Sequence, residues 1–300
     1  MLETQGNNRK LQLLRNKILY LELSKLINNI DFDYVIIKGE PLSYYEYGEY
    51  GRRDSIDIDV LIDRSNISNM INILLQNGYT CKSVSRFEEV MLISHSHQYI
   101  PWKKKLSNGI EIILDINFDI FWGEYKGEKV NINKFIQNYV KMDIYGVQIK
   151  TLPLASTFIQ LILHHYKELN SIYIMSKTNT INYNILQDVR LLIINNMKEL
   201  NAKKICSISK QYSIRNYAFF VLYYTYKLYK DEILQDYIKA LETDEGRQLL
   251  NCFGLSKEER YSWKIGFDER MNNNFLFDFV KKDLDRSVIQ KIEINNDIFN

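Results

Sequence analysis

The sequence predicts an α+β chain, a mixed sheet carrying helices followed by a mostly helical half. Three observations carry that reading. Nine of the twelve glycines lie at or before Gly146, and glycine marks the turns between short elements. Short β-branched runs fall in the same stretch, at Tyr34-Val35-Ile36-Ile37 and over residues 56–62, and such runs read as strands. Beyond residue 150 the apolar period becomes helical: Leu154, Phe158, Leu161, Ile162 and His165 share one stripe behind Pro153. The boundary is expected within 146–153, which gives one domain over 1–150 and a helical domain over 151–300.

The elements follow in order. Leu11, Leu14, Ile18 and Leu21 recur at helical spacing and predict an opening helix, with Leu26 continuing the stripe. The run ending at Ile37 is a buried strand stopped by Lys38-Gly39. Residues 41–53 read as a helical turn and loop, and 56–62 as a strand. An amphipathic helix is expected over 66–76, with Asn77-Gly78 as its stop. Residues 90–93, 98–100 and 111–116 read as strands, the last entered through Ser107-Asn108-Gly109. In the second half, Ile185, Val189, Leu192 and Ile193 mark one helix and 217–229 another. Residues 254–300 are charged, only partly periodic, and expected to be helical.

Composition excludes several classes. With 39 basic and 37 acidic residues, no global field draws the chain to nucleic acid or acidic lipid. The best local basic patch, Lys103-Lys104-Lys105, reads as a solvated hairpin end. Cys81, Cys206 and Cys252 are odd in number and far apart, and four histidines add no zinc-like spacing. A reduced, cytoplasmic setting is expected. The start is polar, so no signal peptide is expected, and runs such as 218–222 are too short to span a bilayer.

The chemistry gathers at Ile56-Asp57-Ile58-Asp59-Val60. Side chains alternate on a strand, so Asp57 and Asp59 share a face while Ile56, Ile58 and Val60 turn to the core. The two carboxylates then lie about 7 Å apart along the strand, from a rise of about 3.3 Å per residue. Like charges so close call for a cation between them, and hard oxygens favour magnesium or manganese. Acid pairs of this spacing also occur on solvated strands, so the pair alone decides nothing. Two features add to it. Lys38-Gly39 ends the preceding strand, where a glycine admits a phosphate to the backbone and a lysine meets its charge. Asp115, in Ile112-Ile113-Leu114-Asp115-Ile116-Asn117, offers a third carboxylate on another apolar strand.

These residues together resemble the uncharacterised nucleotidyltransferase family of the polymerase-beta-like superfamily. The resemblance rests on Ile37-Lys38-Gly39, on Arg53 four residues before the acidic strand, and on Asp57-Ile58-Asp59-Val60-Leu61-Ile62. Gly78-Tyr79 matches the end of the family's next helix, His95 and His97 a histidine-bearing strand, and Asp115-Ile116-Asn117-Phe118 the strand of the third acid. His164 or His165, with Asp188, are the counterparts in the helical tail. Two departures stand out. Gly39-Glu40 replaces the Gly-Ser or Gly-Gly of many nucleotidyltransferases, and Asn117 replaces a histidine. Read from residues alone, His165 is a core histidine on an apolar stripe and Asp188 a helix–helix partner or a surface charge.

The resemblance implies a polymerase-beta-like nucleotidyltransferase domain, with the helical domain contributing to an acceptor cleft. It implies transfer of a nucleoside monophosphate from a nucleoside triphosphate such as ATP to a hydroxyl-type acceptor, a small molecule or biosynthetic intermediate, with release of pyrophosphate. Asp57, Asp59 and Asp115 would be catalytic and hold two Mg2+ ions, or Mn2+. Lys38, Gly39 and Arg53 would bind the nucleotide's phosphates. Two other readings stay open: a toxin-like enzyme acting on transfer RNA or protein, for which Lys103–Lys105 and Lys203-Lys204 are thin support, and a silent nucleotide-binding protein.

Overall fold

The acidic strand lies in the interior of a six-stranded mixed sheet. The computed structural model describes residues 2–53 and 55–299, with side chains described for 9–294 apart from Asp54. Two compact units emerge, one of residues up to Gly123 with Val130–Thr157, the other of Glu124–Lys129 with residues from Phe158 onward.

The first unit contains α1 (Leu2–Ile27), β1 (Tyr34–Ile37), α2 (Gly39–Tyr47), β2 (Asp57–Ile62), α3 (Ile67–Gln76), α4 (Arg86–His95), β3 (Trp102–Lys105), β4 (Glu111–Asn117), α5 (Ile132–Gln137), β5 (Val140–Ile144) and β6 (Val147–Thr151). The strand order is β3-β4-β2-β1-β6-β5. β2 runs antiparallel to β1 and parallel to β4, so its whole ladder is internal. Both faces of β2 are covered as well, since every residue from Ile58 to Ile62 is buried. Ile58, Val60 and Ile62 line one face, and Asp57, Asp59 and Leu61 the other. Ile56 precedes the strand and is exposed, contrary to its expected place in the core.

Several expectations are corrected. The opening helix forms, but Leu11, Leu14 and Leu21 are exposed, and Asn16, Leu19, Tyr20, Leu23 and Leu26 make the buried face. The leucine spacing fits two faces of α1, and the polar Asn16 and Tyr20 are inside because they hydrogen-bond there. Residues 90–93 are helical rather than a strand. Ser85 starts α4 with a capping box: its side chain accepts from the Glu88 N–H, and the Glu88 carboxylate accepts from the Ser85 N–H. Ser85→Ala is expected to destabilise α4 by about 1 kcal/mol, read as faster amide exchange confined to that helix.

The hairpin of β5 and β6 was not expected from the sequence. Tyr145 and Gly146 both have positive φ, 56° and 83°, as the tightest hairpin turn requires. β6 then lies parallel to β1, with Ile36 opposite Thr151, and the Thr151 hydroxyl donates to the Ile36 carbonyl at 2.7 Å. Residue 150 lies inside this strand.

The boundary between the units falls within α6 (Leu154–Asn170). The second unit continues with α7 (Ile172–Thr178), α8 (Leu186–Asn195), α9 (Ala202–Gln211), α10 (Arg215–Tyr229), α11 (Leu234–Leu241) and α12 (Asp244–Leu249). It closes with the short pair β7 (Cys252–Phe253) and β8 (Tyr261–Ser262), then α13 (Phe267–Met271), α14 (Leu276–Lys281) and α15 (Arg286–Phe299). The predicted stripe Phe158, Leu161, Ile162 and His165 is buried, as is much of α10. Arg270 is buried too, donating to the Tyr224 hydroxyl at 2.8 Å and lying over the Tyr224 and Trp263 rings. Among the described residues no helix is long and apolar enough to cross a membrane.

Candidate active site

The sheet register assembles the acids. Asp59 of β2 stands directly opposite Asp115 of β4 across a parallel ladder, and neighbouring strands lie about 4.8 Å apart. Asp57 is one step back along the same face of β2. On the other flank, Ile37 of β1 pairs with Asp59, which sets the Lys38-Gly39 turn beside the same part of β2. Asp57, Asp59, Asp115 and Lys38 therefore meet, although they come from two strands and a turn.

The turn is unusual. Lys38 has φ 56° and ψ −146°, a region that glycine alone occupies without strain, and holding another residue there costs about 1–3 kcal/mol. Gly39 follows at φ 46°. A Cβ on Gly39 would find its nearest atom, Ser55 Oγ, at 3.6 Å, so backbone conformation rather than space calls for glycine there. The Lys38 carbonyl accepts from the Leu42 N–H at 3.2 Å and starts α2. The Lys38 side chain makes no cap hydrogen bond to this helix.

Each acid has its own setting. Asp59 is buried, and its Oδ1 accepts from Lys38 Nζ at 3.1 Å and from Asn117 Nδ2 at 3.0 Å. Asp57 is partly exposed and takes a long contact, 3.4 Å, from the Ser55 hydroxyl. Asp115 Oδ2 accepts from Gln98 Nε2 at 2.8 Å, while its Oδ1 is buried and, among the described residues, receives no hydrogen bond. Burial first, then the charges of Asp59 and Asp57, push the Asp115 carboxyl up to about 6, against the opposing pull of Lys38 and Gln98.

Three carboxylates against one ammonium leave an excess of negative charge, partly shielded from water. The donor set is one of hard oxygens, and the orphaned Asp115 oxygen turns toward no protein donor. In kind, charge and shared face these residues fit a magnesium or manganese ion. Among the described residues no three His, Cys, Asp or Glu side chains are grouped closely enough to cage a metal as they stand. The reason is visible: Asp59 is turned to Lys38 and Asn117, and Asp115 to Gln98.

Arg53, expected to grip phosphate, donates from its Nη1 to both carboxylate oxygens of Glu46, each at 3.1 Å. Glu46 is wholly buried, so it fixes the guanidinium. Glu40, whose charge would oppose a phosphate at this turn, is directed elsewhere. Its carboxylate accepts from Asn16 Nδ2 at 2.5 Å, the Tyr145 hydroxyl at 2.7 Å and the Gly51 N–H at 2.7 Å. It joins α1, the loop after α2 and the β5–β6 turn. Burial and the nearby Glu40 charge push the Tyr20 hydroxyl well up. Gln98, Ser55 and Glu40's anchoring role escaped sequence reasoning, because no local pattern announces a partner found only through tertiary register.

His95 ends α4 rather than standing on a strand. In the second unit, buried His165 faces Asp188, Nε2 to Oδ2 3.6 Å, consistent with a helix–helix pair.

Residues 5–230 match the model of a family described as uncharacterised nucleotidyltransferase. Among solved structures, one similar chain is that of an antigenic nucleotidyltransferase-like protein from Paracoccidioides brasiliensis. It is 16% identical, the TM-score is 0.41, and the match covers 76% of this chain and 93% of that one. No curated protein matches.

Proposed function

The chain belongs to the uncharacterised nucleotidyltransferase family, and from that premise we propose that it moves a nucleoside monophosphate from a nucleoside triphosphate to a hydroxyl acceptor, releasing pyrophosphate. The observation that carries this reading is the register of Asp59 opposite Asp115, with Asp57 on the same face and the Lys38-Gly39 turn alongside. We propose a small molecule as the acceptor.

Asp57 and Asp59 would hold two magnesium ions, with Asp115 as a further ligand or as the base. When bound, these ions neutralise the triphosphate and acidify the attacking hydroxyl. The residues themselves do the rest. Lys38 lies within reach of phosphate oxygens beside Asp59, and its ammonium offsets charge that builds on the leaving pyrophosphate. Gly39 admits phosphate to the backbone at the start of α2, whose N-terminus favours an anion. Arg53, held by Glu46, presents a planar donor group of fixed orientation. Asp115, opposite Asp59 in the ladder, is placed to act as a further ligand or to accept a proton. Burial of Asp59 and partial burial of Asp115 strengthen these charge interactions.

The lysine run gives no support to a nucleic-acid acceptor, because Lys104 is engaged by Glu22 at 2.6 Å. The test is incubation with each labelled triphosphate, magnesium and a cell extract, followed by identification of the labelled product. Transfer to a small molecule is expected. Absence of transfer from all four triphosphates would overturn the proposal, and salt-sensitive labelling of RNA would replace the acceptor.

A further inference from the structure

Asp59 Oδ1 already has a cation. Lys38 Nζ lies 3.1 Å from it, and Asn117 Nδ2 lies 3.0 Å from the same oxygen. The lysine side chain is mostly buried, 20% exposed, and the aspartate side chain 8%, so water screens the pair weakly. The lysine reaches this place from a backbone conformation that glycine, its own next neighbour, takes without strain. A residue held so is over-determined by its surroundings, and such positions gather at functional sites.

A divalent ion on either oxygen of Asp59 would lie beside this ammonium, which repels it. We propose that Lys38 is a resident counter-ion which competes with free metal, so that the chain takes its divalent ion as the metal–nucleotide complex. This rests on the nucleotidyltransferase reading. A nucleotide's phosphates supply the negative charge that draws the ammonium off Asp59, and the same movement removes the repulsion that a metal ion there would meet. One lysine thus serves Asp59 and phosphate in turn. Asn117 remains on Asp59 during the exchange and keeps its carboxylate oriented.

The proposal predicts an ordered dependence. Free Mn2+ binds the wild-type chain weakly, and a non-hydrolysable triphosphate analogue strengthens that binding. Lys38→Met keeps the length of the side chain and removes its charge. It is expected to bind free Mn2+ at least about tenfold more tightly than wild type, a tenfold change being about 1.4 kcal/mol, and to bind the metal–analogue complex more weakly. The measurement is a titration of the full chain with Mn2+, following the free-ion paramagnetic resonance signal. Equal or weaker Mn2+ binding by Lys38→Met overturns the proposal. If that variant melts at low temperature, Lys38→Gln is used with the same criterion. The wild-type arm needs no variant: free Mn2+ binding as tight without the analogue as with it, or no Mn2+ binding in either case, also overturns it. None of these readouts involves turnover. Competition without any nucleotide transfer would keep this inference and overturn the proposed reaction, and transfer without competition would do the reverse.

Discussion

Asp57→Asn is expected to lower nucleotide transfer by a factor of about 1,000 or more while leaving the fold intact. A factor of that size is about 4 kcal/mol of transition-state stabilisation, ordinary for removing one group that faces developing charge. The amide keeps the shape of the side chain and loses the charge that would hold a metal ion. The fold should not notice. Asp57 is partly exposed, and among the described residues its side chain takes only the long contact from Ser55, so the stability change is expected within about 0.5 kcal/mol. Asp59→Asn is a poorer test, because Asp59 is buried and paired with both Lys38 and Asn117. Its replacement would leave the ammonium without a partner and mix a folding defect with a catalytic one. Circular dichroism and a thermal melt alongside the transfer assay separate the two. Wild-type activity in Asp57→Asn would remove the carboxylate face from the mechanism.

Glu40→Ala is expected to destabilise the first unit by about 3–5 kcal/mol, as breaking a buried charged network does. Glu40 is 3% exposed and accepts from Asn16, Tyr145 and Gly51. Removing it leaves three donors facing a cavity, each losing a bond to a charged acceptor worth about 1.5–3 kcal/mol. Its charge is tolerated because those donors surround it and because it sits in the first turn of α2, where the helix dipole favours an anion. Glu40→Gln keeps the volume and one acceptor oxygen, so a loss smaller than that of Glu40→Ala is expected. The urea midpoint of the transition reporting the sheet unit checks both. Transfer activity should fall as well, since Glu40 holds the loop that carries Arg53. A midpoint unchanged in Glu40→Ala would mean that the network is not a structural anchor.

The parts legible in the sequence are those set by short spacing. β1, β2 and α3 follow from runs of apolar residues and from Asn77-Gly78, and the shared face of Asp57 and Asp59 follows from the two-residue strand period. Asp115 was legible as an acid in an apolar strand, but its pairing with Asp59 depends on the register of two strands more than fifty residues apart. The partners of the acids were less legible still. Lys38 was noticed for phosphate, while its contact with Asp59, and those of Asn117 and Gln98, exist only once three strands and a turn have met. Val90 to Ile93 misled because a short apolar run fits helix or strand equally. Ser85 and Glu88 held the deciding signal. α1 misled differently: its leucines satisfy helical spacing on a face left exposed, while Asn16 enters the interior to serve Glu40 and Tyr20 is buried beside it.

The tri-lysine strand has a meaning apart from ligand binding. β3 is an outermost strand of the sheet, and an outermost strand offers free backbone groups to any passing chain. At Lys103 that offer is withdrawn, because Thr80 exchanges both backbone hydrogen bonds with it, at 2.8 and 2.7 Å. The alternation of an antiparallel ladder leaves Lys105 as the next residue facing outward, and its side chain is exposed and charged. A second copy adding a strand there would meet a bridged position and then an ammonium. The run of lysines therefore makes this edge of the sheet a poor template for another strand.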